Sequence, residues 1–320
     1  MGFNFKKNMI QPLLHKISFQ LKNDVEVLFQ GDDQVLHVLN DYRKIFSLGG
    51  LPPSDLPVRY TITFKHQPDS VNYYNLTRHH FELIRDQNIE IPYNFMIEDP
   101  DDYACMLMMF ANLLGTVAMV SGGGLIHAAL GELNGNGFLM AAPGGTGKST
   151  ASGRLPAPFI SHCDDTTLVL KDKEGNFWAH PYPTWSRFYW GGEGGSWKFD
   201  DAVPLRSIFY LSQSETDYIS SLTPGEKVSC CVAAFEQASR MLARNEVNKD
   251  KINSKGSGGE RPIRKLPDWF AIGNDPDQKA SRDIRMHWFE NALIMSKQLS
   301  GNKLNLSLTG NFYDLIEKSL

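Results

Sequence analysis

The run Ala142-Pro143-Gly144-Gly145-Thr146-Gly147-Lys148-Ser149-Thr150 sets three glycines ahead of a Lys-Ser-Thr triplet. Successive backbone N–H groups can surround anionic oxygens only where the chain takes unusual φ values and no side chain intervenes, and Gly144, Gly145 and Gly147 meet both needs. The spacing satisfies the Walker A pattern, with Ala142 standing where the first glycine is usual. It predicts a nucleoside triphosphate held by Pro143, Gly144, Gly145, Thr146, Gly147, Lys148, Ser149 and Thr150. Lys148 would neutralise the β and γ oxygens, and the Ser149 hydroxyl would be a ligand of Mg²⁺ at the start of a helix whose dipole favours anions.

Asp164-Asp165, closing the segment Phe-Ile-Ser-His-Cys, supplies carboxylates at a strand end, where one can reach Mg²⁺. Side chains alternate along a strand, so the two cannot point the same way. That predicts one of them on the metal and the other as general base towards an acceptor hydroxyl. His127 lies in the strand before the loop, and either packs there or approaches the γ-phosphate or the acceptor. Arg187 and Arg206 are the candidates for placing cationic charge on a transferring phosphoryl group. His162 and His180 are weaker candidates. Gly191-Gly192-Glu193-Gly194-Gly195-Ser196, with Trp185, Trp190 and Trp197 around it, fits either a substrate lid or packing at a sheet edge.

These residues need a framework, and 320 residues with 42% hydrophobic and 21% charged content suffice for one large domain or two ordinary ones. With 32 basic against 36 acidic residues, the net charge of -4 offers no bulk attraction to nucleic acid or an anionic membrane. The four cysteines show no zinc-type spacing, and their usage fits a reducing cytoplasm. The N-terminus has no apolar core with a cleavage site, so it does not read as a secretion signal. Residues 104–120 are apolar, but they carry Asn112 centrally and are only just long enough to cross a bilayer, which predicts a buried helix.

The pattern of short alternating segments up to residue 102 predicts a small α/β lobe, with residues 58–64 as a half-buried strand. Residues 103–320 should form the nucleotide-binding domain. Asn134-Gly135-Asn136 between residues 125–132 and 137–142 marks a hairpin, so the strand feeding the loop has an antiparallel neighbour and the sheet is mixed. Gly153 and Pro156 limit the helix after the loop to about two turns. Residues 159–163 read as a buried strand, and residues 166–170 and 176–180 as a second hairpin. The polar, glycine-rich stretch 245–262 reads as a mobile insertion. Residues 282–296 have helical spacing, followed by a strand and a closing helix.

The segment GLIHAALGELNGNGFLMAAPGGTGKST, then CDD, HPYPTW and VPLRSIFYLSQ, resembles the catalytic domain of HPr kinase/phosphorylase and its kinase-like relatives. The nearest likeness is to the HPr-kinase-like proteins of SynChlorMet gene cassettes, whose setting resembles systems that modify a ribosomal peptide. The resemblance implies a fold similar to phosphoenolpyruvate carboxykinase, with a mixed sheet around the nucleotide. It also implies Lys148 on the phosphates, Ser149 and Asp165 towards Mg²⁺, Asp164 as base, and a functional role for His127. In the true HPr kinase an acidic residue follows the Lys-Ser pair, where this chain has Thr150. The expected activity is ATP- and Mg²⁺-dependent phosphoryl transfer to a Ser or Thr hydroxyl of a peptide or small protein, with Asp164, Lys148, His127 and Arg206 as the catalytic set. Two other readings stay open, a nucleotide-gated peptide escort with slow ATPase and a kinase of a small metabolite. A homo-oligomer is implied by the family only.

Overall fold

A computed structural model describes residues 14–49, 58–66, 82–93, 98–189, 191–239 and 278–320. The stretch 245–262 and Trp190 lie outside the described residues. A four-stranded sheet comes first, in the order β1 (His15–Leu21), β2 (Val25–Gly31), β3 (Val58–His66), β4 (Asn88–Tyr93). β1 and β2 are antiparallel, and the other two pairs are parallel. Helix α1 (Leu36–Ile45) packs on it through Val38, Leu39, Tyr42 and Ile45. Asp99 caps α2 (Pro100–Val120) by accepting the backbone N–H groups of Asp101 and Asp102. By length and composition α2 could cross a membrane, but 83% of its apolar window is buried in the protein, as the central Asn112 led us to expect.

Eleven-residue β11 (Val203–Gln213) is the axis of the second sheet. On one side lies β7 (Asn136–Ala141), parallel to β11; then come β6 (Ala128–Leu133), antiparallel to β7, and β8 (Ile160–Cys163) at the edge. On the other side β11 pairs first with β10 (Phe177–Pro181) and then, in parallel, with β13 (Ser300–Leu306), which carries β12 (Tyr218–Ser221). β9 (Thr167–Lys171) pairs with β10 and with β5 (Gly124–Ile126). The sheet is therefore mixed, as the hairpin signal required. Asn134 and Gly135 both take positive φ, 51° and 79°, the two left-handed residues of a tight β6–β7 turn.

The expected single strand over residues 125–132 is instead two strands, β5 and β6, broken at His127. The reason is local. The His127 N–H donates to the Ala234 carbonyl at 3.0 Å, near the end of α4 (Pro224–Ala238), and leaves the ladder. β8 and β9 are likewise separated by residues 164–166, so both chain segments change partners at the same level. β8 also departs from expectation. It pairs with β6 alone among the described strands, and Ile160 and Ser161 are exposed, so it is an edge strand rather than a buried one. After the loop, α3 (Lys148–Gly153) has six residues, as Gly153 and Pro156 demand. The chain closes with α5 (Gln278–Gln298), β13 and α6 (Tyr313–Glu317).

One apolar cluster runs from the first sheet through α2 into β5, β9 and α4, and a second lies around Phe138, Phe209 and Phe312 on the opposite face of β7 and β11. The Trp185 and Trp197 rings belong to the first cluster. Trp197 and Phe199 donate backbone N–H bonds to Ile45 (2.8 Å) and Phe46 (3.3 Å). Phe46 in turn meets Phe19, Tyr182 and Phe199 with ring centroids 5.1, 5.4 and 5.7 Å away, edge to face. Residues 197–199 are thus packed against the end of α1 in the first lobe and not at a sheet edge.

His180 fastens the same junction. Its Nδ1 lies 2.9 Å from the Phe199 carbonyl, and its Nε2 lies 3.4 Å from the Lys22 N–H, which fits a neutral ring that donates from Nδ1 and accepts at Nε2. Burial pushes its pKa from 6.5 down to about 4. The unfolded chain then holds this proton more tightly than the folded one. The contribution to stability is complete above about pH 6.5 and is lost as the pH falls towards 4, a change of about 3 kcal/mol. In chemical denaturation at stepped pH, His180→Gln should flatten the stability slope over that window. An unchanged slope would assign it to other groups.

Candidate functional site

The glycine-rich loop leaves β7 at Ala141, which faces Ala128 across the ladder, so His127 stands beside the point where the loop begins. Gly145 and Gly147 take φ of 79° and 111°, in the region that side chains disfavour, and open the loop into α3. A Cβ at Gly144, Gly145 or Gly147 would meet nothing within 4 Å, so backbone conformation and not crowding selects glycine at the two left-handed positions. Lys148 is 5% exposed, and its Nζ donates to the Ala142 carbonyl at 3.0 Å, closing the loop around its own ammonium group. Gln213, at the end of β11, steadies the loop by donating to the Thr146 carbonyl at 3.4 Å. Ser149 Oγ lies 3.5 Å from the Asp164 carbonyl, which brings the loop and the carboxylate corner together.

The two aspartates have separate partners. Asp164 accepts from Thr184 Oγ1 at 2.6 Å on one oxygen and from Arg187 Nη2 at 3.1 Å on the other. The Arg187 guanidinium also lies over the Trp197 ring, 5.8 Å from its centroid. Asp165 lies 3.1 Å from His127 Nε2, and His127 Nδ1 lies 2.8 Å from Gln237 Oε1 at the end of α4. Burial alone would raise the Asp165 pKa. The hydrogen bond and charge of His127, the Lys148 ammonium and the Thr166 hydroxyl together outweigh burial and hold it below the usual carboxylate value.

His127, Lys148, Ser149, Asp164 and Asp165 are therefore brought together. Arg206 is not. It is exposed near the start of β11, close in register to Gly137 at the start of β7, and its Nε donates to Asn136 Oδ1 at 3.3 Å. β7 runs about 17 Å from there to the loop, so the cationic position next to the carboxylates belongs to Arg187. His162 is paired with Glu132 at 2.7 Å and His180 is in the lobe junction, both away from the loop. Thr184 and Gln237 escaped the sequence reading. The Pro-Thr-Trp segment was visible as a motif, but a hydroxyl and an amide carry no signal until folding sets them against a carboxylate and an imidazole.

The donors available to a divalent ion are the Ser149 hydroxyl and the Asp165 carboxylate, hard oxygens of the kind Mg²⁺ takes together with phosphate oxygens. No group of three or more His, Cys, Asp or Glu residues that could hold a metal by itself occurs among the described residues. The donor set fits an ion that arrives with a nucleotide. All four cysteines are free thiols, and burial pushes Cys163 up to about 11 and Cys231 up to about 12.

Comparison with known families matches the chain to the family described as SynChlorMet cassette protein ScmC over residues 96–255, half of its length. The chain belongs to this family. The matched segment contains the whole cluster from His127 to Gln237, including the loop, both aspartates, Thr184 and Arg187. No curated protein matches the chain.

The His127 contact has a measurable consequence. Because Asp165 binds its proton more weakly folded than unfolded, the stabilisation is present above the ordinary value of 3.8 and is lost as the pH falls through the depressed one. In His127→Ala, burial is opposed by fewer partners, so the Asp165 carboxyl should titrate at higher pH when followed by carboxyl-carbon NMR. A midpoint equal to wild type would mean that the pair does not form.

Proposed function

We propose that this protein is an ATP- and Mg²⁺-dependent phosphotransferase acting on a Ser or Thr hydroxyl of a peptide or small protein, through a P-loop of the HPr-kinase-like type. The observation that carries the reading is the meeting of Lys148 and Ser149, at the head of α3, with the Asp164–Asp165 corner, linked at 3.5 Å through Ser149 and the Asp164 carbonyl. A nucleotide-binding loop alone is common to many hydrolases. A pair of adjacent carboxylates with different partners, facing that loop, adds a base and a metal-facing group.

In this reading the backbone N–H groups of residues 143–150 bind the triphosphate, and Lys148 exchanges its Ala142 carbonyl for phosphate oxygens. Mg²⁺, when bound with the nucleotide, would neutralise charge on the β and γ oxygens, with Ser149 Oγ and Asp165 as its protein ligands. His127 and Gln237 hold Asp165 in orientation. The acceptor oxygen forms a bond to the γ-phosphorus as the bond to the β–γ bridging oxygen breaks, and that oxygen departs with the electron pair on the nucleoside diphosphate. The acceptor proton passes to Asp164. Thr184 and Arg187 fix that carboxylate, and the Arg187 guanidinium in contact with it is available for charge developing on the transferred group.

Asp164→Asn keeps an acceptor for Thr184 but cannot take the proton, so it should lower transfer by about 10²–10⁴-fold while nucleotide binding persists. Lys148→Ala should instead weaken nucleotide binding itself, read by titration with a fluorescent ATP analogue. With γ-labelled ATP and a pool of peptides, label should enter peptide in the wild type. Label appearing only as free phosphate would replace transfer with simple hydrolysis, and label in protein-free metabolite fractions would replace the peptide with a small acceptor.

A further inference from the structure

We infer that Arg154 is a positioning residue for nucleotide binding, tying the short helix α3 to the turn that follows β13. α3 has six residues and carries Lys148 and Ser149 at its head. So short a helix is marginal by itself, and contacts outside it must fix where those two side chains stand. One anchor lies on the β8 side, where Ser152 Oγ is 2.5 Å from Ser161 Oγ. The other is Arg154, directly after the last residue of α3. Its Nη1 donates to the Ser307 carbonyl at 2.9 Å, its Nη2 donates to the Gly310 carbonyl, and its guanidinium lies over the Phe312 ring, 5.1 Å from the centroid. Phe312 is fully buried in the second apolar cluster, together with Ala151 of α3.

The turn is built to hold these carbonyls still. The Ser307 N–H donates to Asp217 Oδ1 at 2.5 Å, and the Gly310 N–H donates to Ser307 Oγ at 2.8 Å. A Cβ at Gly310 would run into the Asp217 carboxylate, so glycine lets the turn close on that side chain. Asp217 thus grips the turn by an N–H while Arg154 grips it by two carbonyls. The same region reaches the loop by a second route, since the Ser214 N–H donates to the Leu306 carbonyl at 2.8 Å and its neighbour Gln213 donates to the Thr146 carbonyl. This task suits arginine and not lysine. A planar fork meets two carbonyls and covers a ring at once, whereas an ammonium group would keep the charge at the C-terminal end of the helix dipole and lose the fork. A helix released at this end is left to pivot on the Ser152–Ser161 contact, which moves Ser149 relative to Asp165. The anchor is read from these contacts, and its role in binding ATP and Mg²⁺ rests on the phosphotransferase reading.

Two readouts keep these apart. Full-length wild type, Arg154→Lys and Asp217→Ala are compared by amide hydrogen exchange without nucleotide, and by titration with a fluorescent ATP analogue and Mg²⁺. Arg154→Lys should speed exchange across residues 146–153 by about tenfold, the scale of a lost charge-assisted hydrogen bond, and leave peptides from β7, β11 and α2 at the wild-type rate. Asp217→Ala, which leaves Arg154 in place but frees the turn, should act in the same direction. Both should weaken nucleotide binding, Arg154→Lys by about tenfold, and added methylguanidinium should restore affinity to Arg154→Ala. Unchanged exchange at residues 146–153 overturns the anchor. Acceleration spread over β7, β11 and α2 overturns the positioning role and makes Arg154 a general stabilising residue. Local acceleration with an unaltered Kd also overturns that role, because the turn then holds α3 without serving the nucleotide. A wild type that binds no nucleotide removes the phosphotransferase reading and the role together, while the exchange result still decides whether the turn holds α3.

Discussion

The contact between His127 and Asp165 pins the two places where the second sheet folds back on itself. β5 passes into β6 at His127 and β8 into β9 through residues 164–166, and at this common level both exchange one set of partners for another. A backbone bent out of its ladder must find hydrogen bonds elsewhere. His127 finds one on the Ala234 carbonyl of α4, and its ring reaches both Asp165 and Gln237. The bend that interrupts the sheet therefore also aims a carboxylate at the loop, and strand pairing further out keeps it there.

Support comes from far away in sequence. Thr184 and Arg187, which hold Asp164, belong to a segment whose aromatic neighbours pack on Phe46 and whose continuation bonds to α1 through Trp197 and Phe199. The first sheet acts as a backing plate for one wall of the site. His180 extends this coupling, since its ring bridges Phe199 and Lys22 only while neutral. Aromatic packing of this kind is tolerant of sequence detail but intolerant of lost volume, so changes at Phe46 or Phe199 should be felt at Asp164.

Adjacent acidic residues usually repel one another, and here the protein separates them by partner. Asp164 is bound by a hydroxyl and a guanidinium, while Asp165 is bound by an imidazole and lies in the field of Lys148. Each carboxylate is thereby given its own orientation and its own neighbours. Both residues lie in the bend between β8 and β9, so the turn of the chain, and not the strand alternation expected from the sequence, separates their side chains.

Several features were legible in the residues alone because their causes are local. Positive φ at Asn134, Gly135, Gly145 and Gly147 follows from residue type, the length of α3 follows from Gly153 and Pro156, and burial of α2 follows from its unbroken apolar run around Asn112. The mixed sheet followed from one hairpin. Other features depended on what folding brings near. The break at His127 is set by the Ala234 carbonyl, the exposure of β8 by its having one partner among the described strands, and the place of Arg206 at the far end of β7 by strand register. Thr184 and Gln237 became site residues, and Arg187 was selected over Arg206, only through contacts across 20 to 110 positions of chain. Local conformational preference is written residue by residue. The choice among two arginines, or the discovery of a supporting amide, is decided by long-range pairing and core packing, which no short segment contains.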